Sequence, residues 1–142
     1  MKYLFIIKDL EKTGFDIFNE SLNMKKWFFK NDRNTVKFKL KIDDEVLVYK
    51  AGKDGGYILG KFKILGTLSE NKQCNDLFFE QFNFFVQISD GVLFEKRLFL
   101  RKYANQLEFV KNKNNFGSSL ISGAKKISEN DFNFIMKTME EI

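Results

Sequence analysis

Apolar and polar positions change their spacing several times along the chain, and each change marks an element. Tyr3 to Ile7 is an unbroken aromatic and β-branched run closed by the charged segment Lys8 to Lys12, as expected of a buried strand. Thr13 and Asp16 have the spacing of a capping box, and Phe15, Phe18 and Leu22 recur on one helical face, predicting a helix to about Lys26. Trp27-Phe28-Phe29 falls at its end, before the polar loop Lys30 to Asn34. Val36, Phe38, Leu40 and Ile42 then alternate with Lys37, Lys39 and Lys41, which predicts a strand with an apolar face and a lysine face.

Glu45 to Tyr49 reads as another strand, and Tyr57 to Ile64 as its hairpin partner across the turn signal Asp54-Gly55. Ser69 to Asp76 is polar and loop-like. Phe82 to Ile88 and Val92 to Leu100 read as a second hairpin joined by Ser89-Asp90-Gly91. Tyr103, Leu107 and Val110 predict a short helix from Arg101 to Val110, followed by the asparagine-rich basic loop Lys111 to Gly117 around Phe116. Ser128 with Asp131 caps a last helix carrying Phe132, Ile135, Met136 and Met139 on one face. The expected fold is α+β: one domain over 1–142, with about six twisted, mostly antiparallel strands curling into a small barrel flanked by three helices.

Composition narrows the chemistry. The 142 residues are 44% hydrophobic and include 18 phenylalanines, enough for a real core. With no histidine and one cysteine, Cys74, the chain has no imidazole base, no Cys-His pair, no intrachain disulfide and no cysteine zinc site. No cofactor is expected. The absence of disulfides suits a reducing cytosol, and no apolar run approaches a membrane span or a signal peptide, so a cytoplasmic protein without membrane association is expected. The formal charge of +5 suits an anionic partner.

Trp27, the sole tryptophan, could stack on a nucleobase, or could simply be a core aromatic. Asn31 and Asn34 could read a base edge, because an amide both donates and accepts; in a loop they could equally be turn formers. Tyr49 and Tyr57, on facing strands, could wall a pocket or make ordinary cross-strand contacts. Candidate phosphate contacts are Arg33, the Lys37, Lys39 and Lys41 stripe, Lys50 and Lys53 near the turn, and Arg97, Arg101, Lys102, Lys111 and Lys113. Lysines on a strand face could also be merely solvated. Glu70-Asn71-Lys72 with Asp54 is an isolated nuclease-like triplet that chance supplies in a lysine-rich chain. Asp43-Asp44-Glu45 alternates faces and does not converge on a cation.

Three segments carry a family resemblance: Trp27 to Asn34, Lys41 to Gly52 and Tyr57 to Phe62, joined by Leu107 to Lys113 and Ile127 to Phe132 near the end. In this order they resemble the EVE domain and its YTH-like relatives in the PUA-like superfamily. Asp43-Asp44 stands where that family has Gly-Asp, and no second tryptophan is present. The resemblance implies a small barrel that takes a methylated base, flipped out of its strand, into an aromatic pocket. Trp27 matches a pocket aromatic, Asn31 or Asn34 the polar reader and Tyr49 a lining residue, with Tyr57 or Phe116 as the second cage wall. It further implies a non-catalytic reading domain, with DNA favoured and RNA possible. Such domains occur in McrB-type restriction subunits, where an AAA+ motor and a nuclease subunit do the work. A protein-interaction or assembly domain, with every aromatic in the core, is the competing expectation.

Overall fold

Lys2 to Ile7 forms β1 near the middle of the molecule, because a continuous apolar run can be buried on both faces. Its alternate residues serve two cores: Tyr3, Phe5 and Ile7 face one cluster, and Leu4 and Ile6 face the other. The computed structural model describes residues 1–52, 55–120 and 123–142. Among them the elements are β1, α1 (Gly14–Met24), β2 (Lys26–Phe29), β3 (Glu45–Lys50), β4 (Tyr57–Lys63), β5 (Ser69–Glu70), β6 (Phe84–Gln87), β7 (Val92–Phe99), β8 (Ala124–Ile127) and α2 (Glu129–Glu141). Short 3-10 segments cover Val36–Phe38, Phe79–Gln81, Leu100–Gln106 and Phe116–Leu120.

One sheet has the order β7-β4-β3-β1-β8, the other β2-β6-β5. Among the described residues only β1 and β3 pair in parallel, in the register Lys2 to Glu45 through Ile7 to Lys50. A bridge between Ile64 and Ile88 ties the two sheets together beyond the ends of β4 and β6. This α+β architecture buries Phe5, Phe18, Trp27, Phe28, Phe62 and Val86 in the first core, with α1 contributing Ile17 and Phe18. The second core, on the other face of the larger sheet, takes Tyr49, Leu98, Leu107, Phe116 and the apolar stripe of α2. Both helices begin as their sequences predict, with Thr13 Oγ1 accepting from the Asp16 amide and Ser128 Oγ from the Asp131 amide.

Four expectations are corrected. Residues 36–42 do not form a strand. Asp32 Oδ1 accepts from the Asn34 amide and Asn34 Oδ1 from the Val36 amide, each at 3.0 Å, and these Asx-type bonds turn the chain into the 3-10 segment Val36–Phe38. The side-chain period is therefore not two: Lys37 and Leu40 are buried, whereas Phe38 and Ile42 are exposed. Trp27-Phe28-Phe29 is a strand, not a helix end, because Lys25 takes the left-handed conformation (φ 57°) and stops α1 there.

The β3–β4 hairpin forms as expected, with Asp54 of its turn outside the described residues. The second hairpin does not. β6 pairs with β2, β7 pairs with β4, and the chain crosses between the sheets at Gly91. A Cβ at Gly91 would lie 2.4 Å from the Lys61 carbonyl oxygen, so only glycine permits this crossing. Finally, the helix expected from Arg101 to Val110 is the 3-10 segment Leu100–Gln106, which ends as Lys113 Nζ donates to the carbonyls of Ala104 and Leu107 at 2.9 and 2.6 Å.

Candidate functional site

Where α1, β2 and the C-terminal end of β1 meet, they leave a cavity of about 310 Å³. That is at the lower end of the roughly 300–1,000 Å³ typical of ligand pockets. Trp27, Phe28 and Phe29 of β2 line it, with Ile7, Ile17, Phe79 and Phe82 completing an apolar wall. Trp27 is only 7% exposed, and its ring lies 5.4 Å from Phe62, 5.7 Å from Phe5 and 6.1 Å from Phe18. It is therefore at once a core residue and a wall of the cavity.

The polar side of the cavity comes from the turn that replaced the expected strand. Lys37 is buried, and its ammonium donates to Asp32 Oδ1 at 2.7 Å and to the Asn34 carbonyl. Burial pulls the Asp32 carboxyl upward, but the Lys37 hydrogen bond and the Asn34 amide outweigh it and hold the group below its ordinary value. Asn34 also lines the cavity. Its amide nitrogen donates to the Ala124 carbonyl at 2.9 Å while its oxygen accepts from Val36, so it braces β8 against the turn. Lys8, Leu10 and Lys30 complete the lining as exposed residues, with the Lys30 ammonium 5.4 Å from the Phe82 ring centre.

The structure brings Trp27, Asn34 and Lys37 together and separates them from the other expected residues. Asn31 is exposed outside the cavity, its amide donating to Asn83 Oδ1 at 2.8 Å. Tyr49 points into the second core, on the opposite face of the sheet, where burial pushes its phenol upward. Phe116 lies edge-on to Tyr49 there, with ring centres 6.5 Å apart. Neither ring lines the cavity, because strand alternation turns Tyr49 away from Trp27. Tyr57 packs at the margin of the first core, and its neighbours are Phe99, Arg97 and Lys50.

The expected cations are similarly dispersed. Lys39 and Lys41 are exposed but share no face with the buried Lys37, so the lysine stripe is absent. Arg33 is exposed beside the cavity turn, Lys50 pairs with Asp9 at 3.4 Å, and Lys53 lies outside the described residues. Arg101 and Lys113 line a shallow second hollow with Phe116. Lys102 sits 5.2 Å from the Tyr103 ring, and Lys111 approaches Lys125, whose ammonium is lowered first by burial and then by that charge. Glu70 forms an exposed ion pair with Lys72 at 2.8 Å. Among the described residues no group of three or more acidic or cysteine side chains could hold a metal, and no helix is long and apolar enough to cross a membrane.

Of the cavity lining, sequence reasoning singled out Trp27, Asn34 and Lys37; it missed Asp32 and Lys30 among the polar residues, Lys8, Gly123 and Ala124, and the apolar wall. Only the dense run of turn formers Asp32-Arg33-Asn34 signalled that a polar wall, and not a strand, begins there.

No family model matches the sequence, and no curated protein matches it. Solved structures do. Human THYN1 in complex with 5-methylcytosine-containing DNA superposes with a TM-score of 0.66 at 14% identity, over 98% of this chain and 97% of that one. The DUF55 domain of human thymocyte nuclear protein 1 gives 0.65 at 14%, over 99% of both chains. The YTH domain-containing protein mmi1, solved with RNA, gives 0.62 at 12%, over 97% of this chain and 81% of its own. The chain has the EVE-type, PUA-like fold. Within that fold the Asp43 departure is explained: Asp43 has φ 73°, a left-handed conformation that glycine adopts freely and aspartate tolerates.

Proposed function

We propose that this EVE-like chain is a non-catalytic nucleic-acid reader that holds one unstacked, methylated base in the Trp27 cavity, with DNA as the primary ligand. The observation that carries this reading is the cavity itself, apolar and aromatic on one side and closed by the Lys37–Asp32 pair on the other. A base entering it would meet aromatic walls worth about 1–3 kcal/mol in stacking. A methyl group reaching the dry wall would add about 0.8 kcal/mol. Lys37 and Asp32, one donor and one acceptor, take the edge-reading role, since the Asn34 amide is engaged with backbone groups. Lys8 and Lys30, the exposed cations of the lining, would meet the phosphates flanking an extruded nucleotide.

The DNA-bound and RNA-bound structures that share the fold support a nucleic-acid ligand. RNA is the second reading, favoured by the YTH complex. Service in a modification-dependent restriction system, beside an AAA+ motor and a nuclease subunit, rests on the sequence resemblance alone, and co-purification with such partners tests it. The central experiment titrates 5-methylcytosine, N6-methyladenine and unmodified strands, as DNA and as RNA, at two salt concentrations while following Trp27 fluorescence. Salt-sensitive quenching that is stronger for one methylated strand is expected. Silence on every strand would sink the reading and favour a protein-interaction domain.

A further inference from the structure

Strand pairing carries the cavity wall across the larger sheet to its far edge. Ile7, in the cavity wall, pairs with Lys50, Lys50 with Tyr57, and Tyr57 with Phe99 on β7. Three strand spacings of about 4.8 Å make this row roughly 14 Å long, about four nucleotides at a stacked rise of ~3.4 Å. Tyr57 packs against the same core as Trp27, so the row lies on the cavity's side of the sheet. The Arg97 guanidinium lies 4.7 Å and the Lys50 ammonium 5.7 Å from the Tyr57 ring centre, and the Phe99 ring is 5.5 Å away. Phe99 is 41% exposed and Arg97 is exposed beside it.

An exposed aromatic at a sheet edge, set between cations, has the chemistry of a single-strand platform: rings stack on bases and cations meet phosphates. We propose that this row is a second binding surface, which holds the nucleotides adjoining the one in the cavity. A neighbouring base stacks on Phe99, and its phosphates lie along Arg97 and Lys50. Asp9 and the start of α1 cover the inner end of the row. The Asp9 carboxylate accepts from the Gly14 amide at 2.7 Å and lies 3.4 Å from the Lys50 ammonium, and Gly14 packs on the stem of Lys50. The open part is therefore Tyr57, Arg97 and Phe99 with the tip of Lys50. The assignment rests on the cavity being a base pocket.

Fluorescence anisotropy with a methylated mononucleotide and a single strand of about eight nucleotides carrying the same base tests it. The strand should bind more tightly than the mononucleotide. Phe99→Ala and Arg97→Gln should each weaken the strand about tenfold, leave the mononucleotide unchanged and leave thermal melting intact. Arg97→Gln should also reduce the salt slope by about one. Full-strength strand binding by both variants, or displacement of the strand by polyglutamate as readily as by nucleic acid, would overturn the platform while leaving the cavity reading in place. If the two variants weaken the strand but the wild-type chain binds no methylated mononucleotide, the cavity reading falls and the adjoining role with it, leaving only a nucleic-acid contact at Phe99 and Arg97. A wild-type chain that binds neither ligand overturns both.

Discussion

Lys37 and Asp32 are unequal partners, since the lysine side chain is 2% exposed and the aspartate 58%. Removing the aspartate strands a buried ammonium, whereas removing the lysine leaves a carboxylate that water can solvate. Asp32→Ala is therefore expected to cost about 2 kcal/mol and Lys37→Met about 1 kcal/mol, both reduced from fully buried values by the solvent at Asp32; urea melts would show the opposite order if the pair is merely a surface contact. The acid dependence follows from the same pair. With the Asp32 carboxyl held below its ordinary value, the pair's contribution is complete above that ordinary value and is lost as pH falls through the lowered one. Asp32→Asn should flatten that part of the acid limb in a stability-versus-pH series. A third residue-level expectation concerns Asp43, at φ 73°. Asp43→Gly should relieve the left-handed backbone and raise stability by about 0.5 kcal/mol, read as a higher melting temperature.

Among the elements, α2 does more than cover a core. Asp131 in its first turn is 1% exposed, and its two carboxylate oxygens accept from the Glu108 and Phe109 amides at 2.8 and 2.9 Å. Asp131→Ala should leave two amides without their acceptor and cost about 2–4 kcal/mol in chemical denaturation. A cost under about 0.5 kcal/mol would show that the helix holds that segment by packing alone. The elements most legible in the sequence were those whose period and cap agree, such as β1, α1, the β3–β4 hairpin and α2. β8 was missed because Ala124-Lys125-Lys126-Ile127 is short and half polar, and its strand character comes only from pairing with β1. Lys37 was misplaced for the reverse reason: Val36 to Ile42 alternates as a strand should, yet side-chain bonds from Asp32 and Asn34 decide its backbone locally. Trp27 and Asn34 do line one cavity, while Tyr49 and Phe116 lie on the other side of the sheet, because sequence does not tell which face a tyrosine takes.

For the molecule as a whole, the proposed base pocket and the first core share a wall, so any test of the one touches the other. Trp27→Ala would empty part of the first core, at about 3–5 kcal/mol, so binding losses in that variant would report unfolding as well as lost stacking. Trp27→Phe keeps a ring in place and is the cleaner probe of the wall. Charge acts over longer distances: Lys30→Gln at the cavity mouth should lower the slope of log affinity against log salt by about one, whereas Lys39→Gln, outside the lining, should leave it unchanged.

β8 has a further consequence. Gly123 and Ala124 form part of the cavity wall, and β8 pairs with a strand that begins at residue 2. Trp27, Lys37 and the lining cations Lys8 and Lys30 all come before Leu40, yet the chamber around them is closed by a strand held to the Asn34 side chain across 90 residues of sequence. Ligand capture should thus depend on that distant β1–β8 pairing as much as on the side chains that face the ligand.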